Sequence, residues 1–185
     1  MANRSHLYTF DRFEKGMPYK PRGLHEWNWT IPASHLILMS GRPRVYNSSL
    51  TEKPAKVAIV ADREPGLSRF LRLLAALKPR DPGLAEEAEH AEAFLASEAG
   101  RGALFLLEPI EIFDMAKAAP ETQCVAVVQK QVPAIAAQLD EALAKPAEKL
   151  FVKAPKWLKE IDKDWNTLGL GRWSSVLYYT LDGEA

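Results

Sequence analysis

Apolar positions along this chain change period several times, and each change marks an element. "SHLYTF" (Ser5–Phe10) alternates weakly and carries two aromatics, which predicts an early strand. "KGMPYKPRG" follows as a loop, punctuated by proline and glycine. Within "LHEWNWTIPASHLILMSG" a short extended piece leads into a helix over about Pro32–Ser40, closed by Gly41. "RPRVYNSSLTEKPA" reads as a loop with a short strand at its centre. "KVAIVA" (Lys56–Ala61) is the clearest strand, because an unbroken β-branched and apolar run suits a strand buried on both faces.

The period then lengthens. Leu67, Phe70, Leu71, Leu74 and Leu77 recur at helical spacing behind Pro65, with Arg69 and Arg72 on the outer side. After the break "PRDPG", Asp81 caps and Pro82 opens a second helix that runs to about Ala99, with Gly100 as its stop. Leu84, Ala88, Ala91 and Leu95 form its inward stripe. "ALFLLE" fits a strand or the start of an apolar helix, and a helix over roughly Pro109–Ala118 follows. Pro133 divides "PETQCVAVVQKQVPAIAAQLDEALAK" into two helical pieces. "EKLFVKAPKWLKEIDKDW" predicts a short strand and a mixed-charge helical turn, and "GRWSSVLYYTL" a final strand. Strands and helices alternate without a βαβ rhythm, so the expected class is α+β: one mixed domain over residues 1–185, a central sheet flanked by helices, with "KVAIVA" and "SSVLYYTL" central in the sheet.

Charge changes this picture locally. The 24 basic and 24 acidic residues cancel overall, yet residues 1–80 hold 14 Lys/Arg against 6 Asp/Glu, and residues 81–121 hold 2 against 10. A neutral total argues against a nucleic-acid partner. The acidic block falls on the second helix, where Glu86, Glu89 and Glu92 repeat every third residue and Glu87 borders the apolar stripe. No lysine stands four residues on to neutralise them within the helix. Such a face is either a solvated surface or a contact for a basic partner, in which case its field speeds encounter.

Candidate chemistry is sparse. "VAIVADREPG" runs a strand into a helix, as phosphate sites do, but it offers one glycine and a proline where an N–H donor is wanted. Asp62 there reads as a helix-start acid; a ligand site with Asp62, Arg63, Glu64 and Arg172 at the end of Lys56–Ala61 is the alternative. "LGLGRW" (Leu168–Trp173) lacks the third glycine of a dinucleotide loop and leads to no helix. His6, His25, His35 and His90 are scattered, so neither a metal nor a cofactor is expected. Cys124, the one cysteine, sits among apolar neighbours with no base nearby and reads as a buried structural thiol. Ser174 and Ser175 lack a nucleophile elbow. No apolar run reaches the length of a membrane span, and the N-terminus lacks a signal-peptide core, so no membrane association and a cytoplasmic location are expected. Trp27 and Trp29 share a face if extended, while Trp157, Trp165 and Trp173 crowd the end of the chain. Core packing is their default role, and interface anchoring their role if exposed.

"MANRSHLY" at the start, "IP…SG" (Ile31, Pro32, Ser40, Gly41), "VAIVAD…G" (Val57–Asp62, Gly66) and "SSVLYY" (Ser174–Tyr179) together resemble an uncharacterised bacterial family that begins with nearly those residues. That family is similar to the immunity proteins that accompany secreted interbacterial toxins of the type VI kind. The resemblance implies a non-enzymatic cytoplasmic protein that binds and neutralises a cognate toxin, such as a nuclease, encoded by an adjacent gene. Glu86, Glu87, Glu89 and Glu92 are then the expected partner-binding residues. The alternative is a small enzyme or ligand-binding domain using the end of Lys56–Ala61.

Overall fold

The computed structural model describes residues 3–181; Met1 and Ala2 of the opening motif and residues 182–185 lie outside the described residues. The strands are β1 (Arg4–Phe10), β2 (Phe13–Glu14), β3 (Met17–Pro18), β4 (Arg22–Asn28), β5 (Arg44–Tyr46), β6 (Ala58–Asp62) and β7 (Leu104–Glu108). The α-helices are α1 (Ala33–Leu38), α2 (Arg63–Leu77), α3 (Pro82–Ala96), α4 (Ile110–Phe113), α5 (Pro120–Ala126), α6 (Val132–Leu143) and α7 (Lys156–Lys163). One sheet runs β4-β1-β7-β6-β5, antiparallel at each pairing, and β2-β3 form a separate hairpin. The domain is α+β, as the mixed periodicity predicts.

The sheet is covered on both faces, but by different material. Ile59, Ala61, Phe105 and Leu107 point to the main core, where Phe70, Leu74 and Leu77 of α2 and Leu139 of α6 pack. Their sequence neighbours Ala58, Val60 and Leu106 point the other way, to a smaller core with Tyr8, Phe10 and Leu177. This two-residue alternation explains the continuous apolar run of "KVAIVA": both of its faces are buried. The lone glycine of "VAIVADREPG" has a packing reason. Gly66 lies where α2 crosses α1, and a Cβ there would overlap the carbonyl oxygen of Leu38.

Several expectations are corrected. "SSVLYYTL" is not a central strand; it is an irregular strap along β4. One backbone bond, Ser174 N–H to the Leu24 carbonyl at 3.0 Å, starts a pairing that side chains then take over. The Val176 N–H donates to Ser174 Oγ, the Tyr178 N–H to the Glu26 carboxylate, and the Tyr8 hydroxyl to the Tyr179 carbonyl. Gly23 permits this close passage, since a Cβ there would stand 2.7 Å from Leu177 Cγ. Pro133 does not divide a helix pair: α5 and α6 are continuous through a π turn at Val127–Gln131, whose wider ring relieves the clash between a proline and the carbonyl four residues back. "EKLFV" forms the end of a 3-10 helix and a run of turns where a strand is expected, and the helix after Pro109 stops at Phe113. Arg69 does not face outward; it ties α2 to α6 through Asp140, with N–O distances of 3.0–3.1 Å.

Candidate functional site

The mouth of β6 carries dense charge, and the described bonds use it internally. Asp62 begins α2 without capping it; its carboxylate is held by Arg42 and Arg44. Arg63 donates to the carbonyls of Leu95 (2.7 Å) and Gly100 (3.3 Å), tying α2 to the end of α3. Arg172 is not brought to this place at all. The four residues of the alternative reading are therefore not assembled into one site.

On α3 the cap forms as expected, Asp81 accepting from the Leu84 N–H at 2.9 Å, and Leu84, Ala88, Ala91 and Leu95 are all buried. Glu86 and Glu89 are exposed, Glu87 half-buried, and none of the three has an ion-pair partner among the described residues. Glu92 differs, because Lys78 from the turn after α2 reaches it at 2.5 Å. The charge that helix spacing leaves unpaired is thus one quarter neutralised by tertiary structure.

Glu87 also belongs to a cleft of about 400 Å³. The end of β4 with Trp29 (residues 26–29) forms one wall, Trp165 and Asn166 a second, and Gly171 with Arg172 a third. Its volume lies in the range of small-ligand sites. Three of the five tryptophans line it, and Trp29 is 59% exposed. The other two are elsewhere: Trp173 stacks on His25 at 4.7 Å between rings, and Trp157 lines a separate groove between α1, α6 and α7. Two separate surfaces inferred from sequence, acidic and aromatic, meet at Glu87.

Two residues of the cleft are held in an unusual backbone conformation. Trp29 (φ +68°) and Arg172 (φ +71°) are both left-handed, which costs on the order of 1 kcal/mol or more for a non-glycine residue. A buried histidine relay holds the peptide beside Arg172. His25 Nε2–H donates to the carbonyl of Gly171 (2.5 Å), so its Nδ1 accepts from His35 Nε2–H (2.8 Å). The Ser5 hydroxyl lies 3.1 Å from His35 Nδ1 and 3.2 Å from the carbonyl of Thr30. With His35 Nδ1 left as an acceptor, the one Ser5 proton serves either it or the Thr30 carbonyl, so the continuous run of bonds is His35–His25–Gly171 and ends next to Arg172. Burial pushes His25 down to about 4 and His35 well below the usual histidine range, so both rings are neutral near pH 7. Sequence gave no sign of this pairing, because residues ten apart in a strand and a helix form no motif.

On the other face of the sheet, His6 is fully buried with Glu26 Oε2 3.6 Å from Nδ1 and Glu111 Oε2 3.8 Å from Nε2. Burial lowers its pKa, against the raising effect of both carboxylates. Glu111 accepts the hydroxyl of Tyr179 (3.0 Å) and Glu26 the N–H of Tyr178 (2.9 Å), so this group clips the strap in place. Glu108 nearby is pushed up to about 7 by burial, while Ser48 Oγ and the Ser49 N–H donate to it. Among the described residues no set of three or more His, Cys, Asp or Glu is disposed to hold a metal, and no helix is long and apolar enough to cross a membrane. Cys124 is buried, its thiol pushed up to about 12 by burial, consistent with a structural role.

Neither curated proteins nor solved structures supply a match to the chain. One family model does match, over residues 12–149, which includes β4 and α3 but not Trp165 or the Gly171–Arg172 wall. More than half of the chain is covered, and it belongs to the family described as domain of unknown function (DUF7822).

Proposed function

We propose that this protein is a non-enzymatic binding protein whose contact surface joins the acidic side of α3 to the tryptophan cleft, and whose partner is a basic protein. In its most concrete form it is a cytoplasmic immunity protein that neutralises a cognate secreted antibacterial toxin encoded by an adjacent gene. The observation that carries this reading is Glu87, a half-buried carboxylate shared by the helix face and the cleft. Unpaired carboxylates steer a basic partner and raise its encounter rate, while the exposed Trp29 indole supplies anchoring area. A nuclease toxin, with a basic groove for its substrate, has the matching chemistry. The resemblance of the opening and closing motifs to an immunity-like family supports the same reading.

Calorimetry on the purified protein and the product of the adjacent gene tests it, with nanomolar one-to-one binding expected. Replacing Glu86, Glu87 and Glu89 together by lysine should slow association about tenfold at low salt and leave the fold intact. No binding to either neighbouring product sinks the toxin reading; unchanged kinetics in the triple variant removes α3 from the interface.

A further inference from the structure

We infer that the cleft between β4, α3 and the Trp165 and Arg172 segments is a receptor for a single arginine side chain of the basic partner. The inference rests on the binding reading above and names the group that would enter. Three indoles and the Glu87 carboxylate line one opening. Indole faces are the strongest side-chain π surfaces for a cation, and a guanidinium both stacks on them and offers a planar fork to a carboxylate. A lysine ammonium is attracted to both groups but lacks the planar fork that stacks on an indole while pairing with a carboxylate. Glu26 already accepts the Tyr178 N–H and lies 3.6 Å from Arg4, so the spare acceptor capacity is at Glu87. Arg172 is the one cation on the lining, and it is exposed.

The cleft is also set before anything enters. The His35–His25 relay ends on the carbonyl of Gly171, and the Trp29 N–H donates to the Asn3 carbonyl at 2.7 Å. Walls fixed in this way lose little conformational freedom on binding, which favours recognition of one side chain.

The test needs no partner protein. N-acetyl-arginine-N-methylamide is titrated into the full chain while the five indole N–H resonances are followed by NMR, with the citrulline, lysine and glutamate analogues as comparisons. The arginine probe should move Trp27, Trp29 and Trp165 and leave Trp157 and Trp173 in place, saturating with a Kd on the order of 10 mM, as a single small contact allows. The neutral citrulline probe should bind about tenfold more weakly, the loss expected for removing a charge-assisted contact. Glu87→Gln should weaken the arginine probe several-fold while the other indole signals report an unchanged fold. Equal shifts from arginine and citrulline, preferential binding of glutamate at Arg172, or no saturable shift would each overturn the inference. If the probe fails while the Glu86, Glu87 and Glu89 charge reversal still slows partner association, the cleft inference falls alone and the acidic-surface reading stands.

Discussion

The mouth of β6 and the tryptophan cleft are both rich in charge, and they differ in what that charge is doing. At β6, Asp62 holds Arg42 and Arg44, and Arg63 holds two carbonyls at the end of α3. These groups have converted their bonding capacity into fold. At the cleft, Glu87 and Arg172 line the opening without ion partners among the described residues, and the strained backbone at Arg172 is supported from behind by buried bonds. Density of charged residues alone therefore separates nothing; what differs between the two regions is whether the charge has partners within the fold.

The sharpest way to break this comparison is acid. His25 is held at about 4 against an unfolded value of 6.5, and His35 lower than its unfolded value. Their neutral forms therefore contribute stability that is present above pH 6.5 and lost as pH falls toward 4. His25 alone contributes on the order of 3 kcal/mol across that window. Glu108 opposes this: held at about 7, it contributes stability present below its unfolded value and lost as pH rises through 7. Thermal unfolding from pH 7 to 4.5 should show a falling midpoint. Glu108→Gln should steepen the fall, and a flat profile in the native chain would deny the relay its structural part.

A smaller effect separates the two regions by mutation. Arg63→Ala should cost about 2 kcal/mol in denaturant unfolding, because two carbonyls lose a charged donor. It should leave the arginine probe's affinity unchanged. Asp62→Asn, acting on a largely exposed pair of arginines, should cost about 1 kcal/mol or less. Glu87→Gln should cost the least, within about 0.5 kcal/mol, while being the one of the three that weakens the probe. If Glu87→Gln proves as destabilising as Arg63→Ala, its carboxylate is structural and the contrast between the regions collapses.

The same contrast explains what was legible along the chain. β6 and the capped α3 were readable because each is specified locally, by an apolar run and by an Asp-Pro start over a periodic stripe. "SSVLYYTL" misled because β-branched and aromatic residues fit any half-buried extended segment, and whether a ladder forms depends on the partner's N–H and C=O groups. Pro133 misled because a π turn can absorb a proline that local rules treat as a break. Glu86, Glu87, Glu89 and Glu92 were found by spacing, but spacing alone put all four in one class; Lys78, fourteen residues from Glu92, separates them.

By itself, then, the sequence determined the class of the domain, its strongest strand and helices, and the excess of negative charge on α3, since each depends on contacts within a few residues. Only the tertiary structure decided that Trp27, Trp29 and Trp165 share one cleft with Glu87, and that His25, backed by His35, holds its Gly171 wall. Those residues come from four segments spread over the chain, and the bonds that join them depend on strand register and helix packing, which no short stretch of sequence encodes.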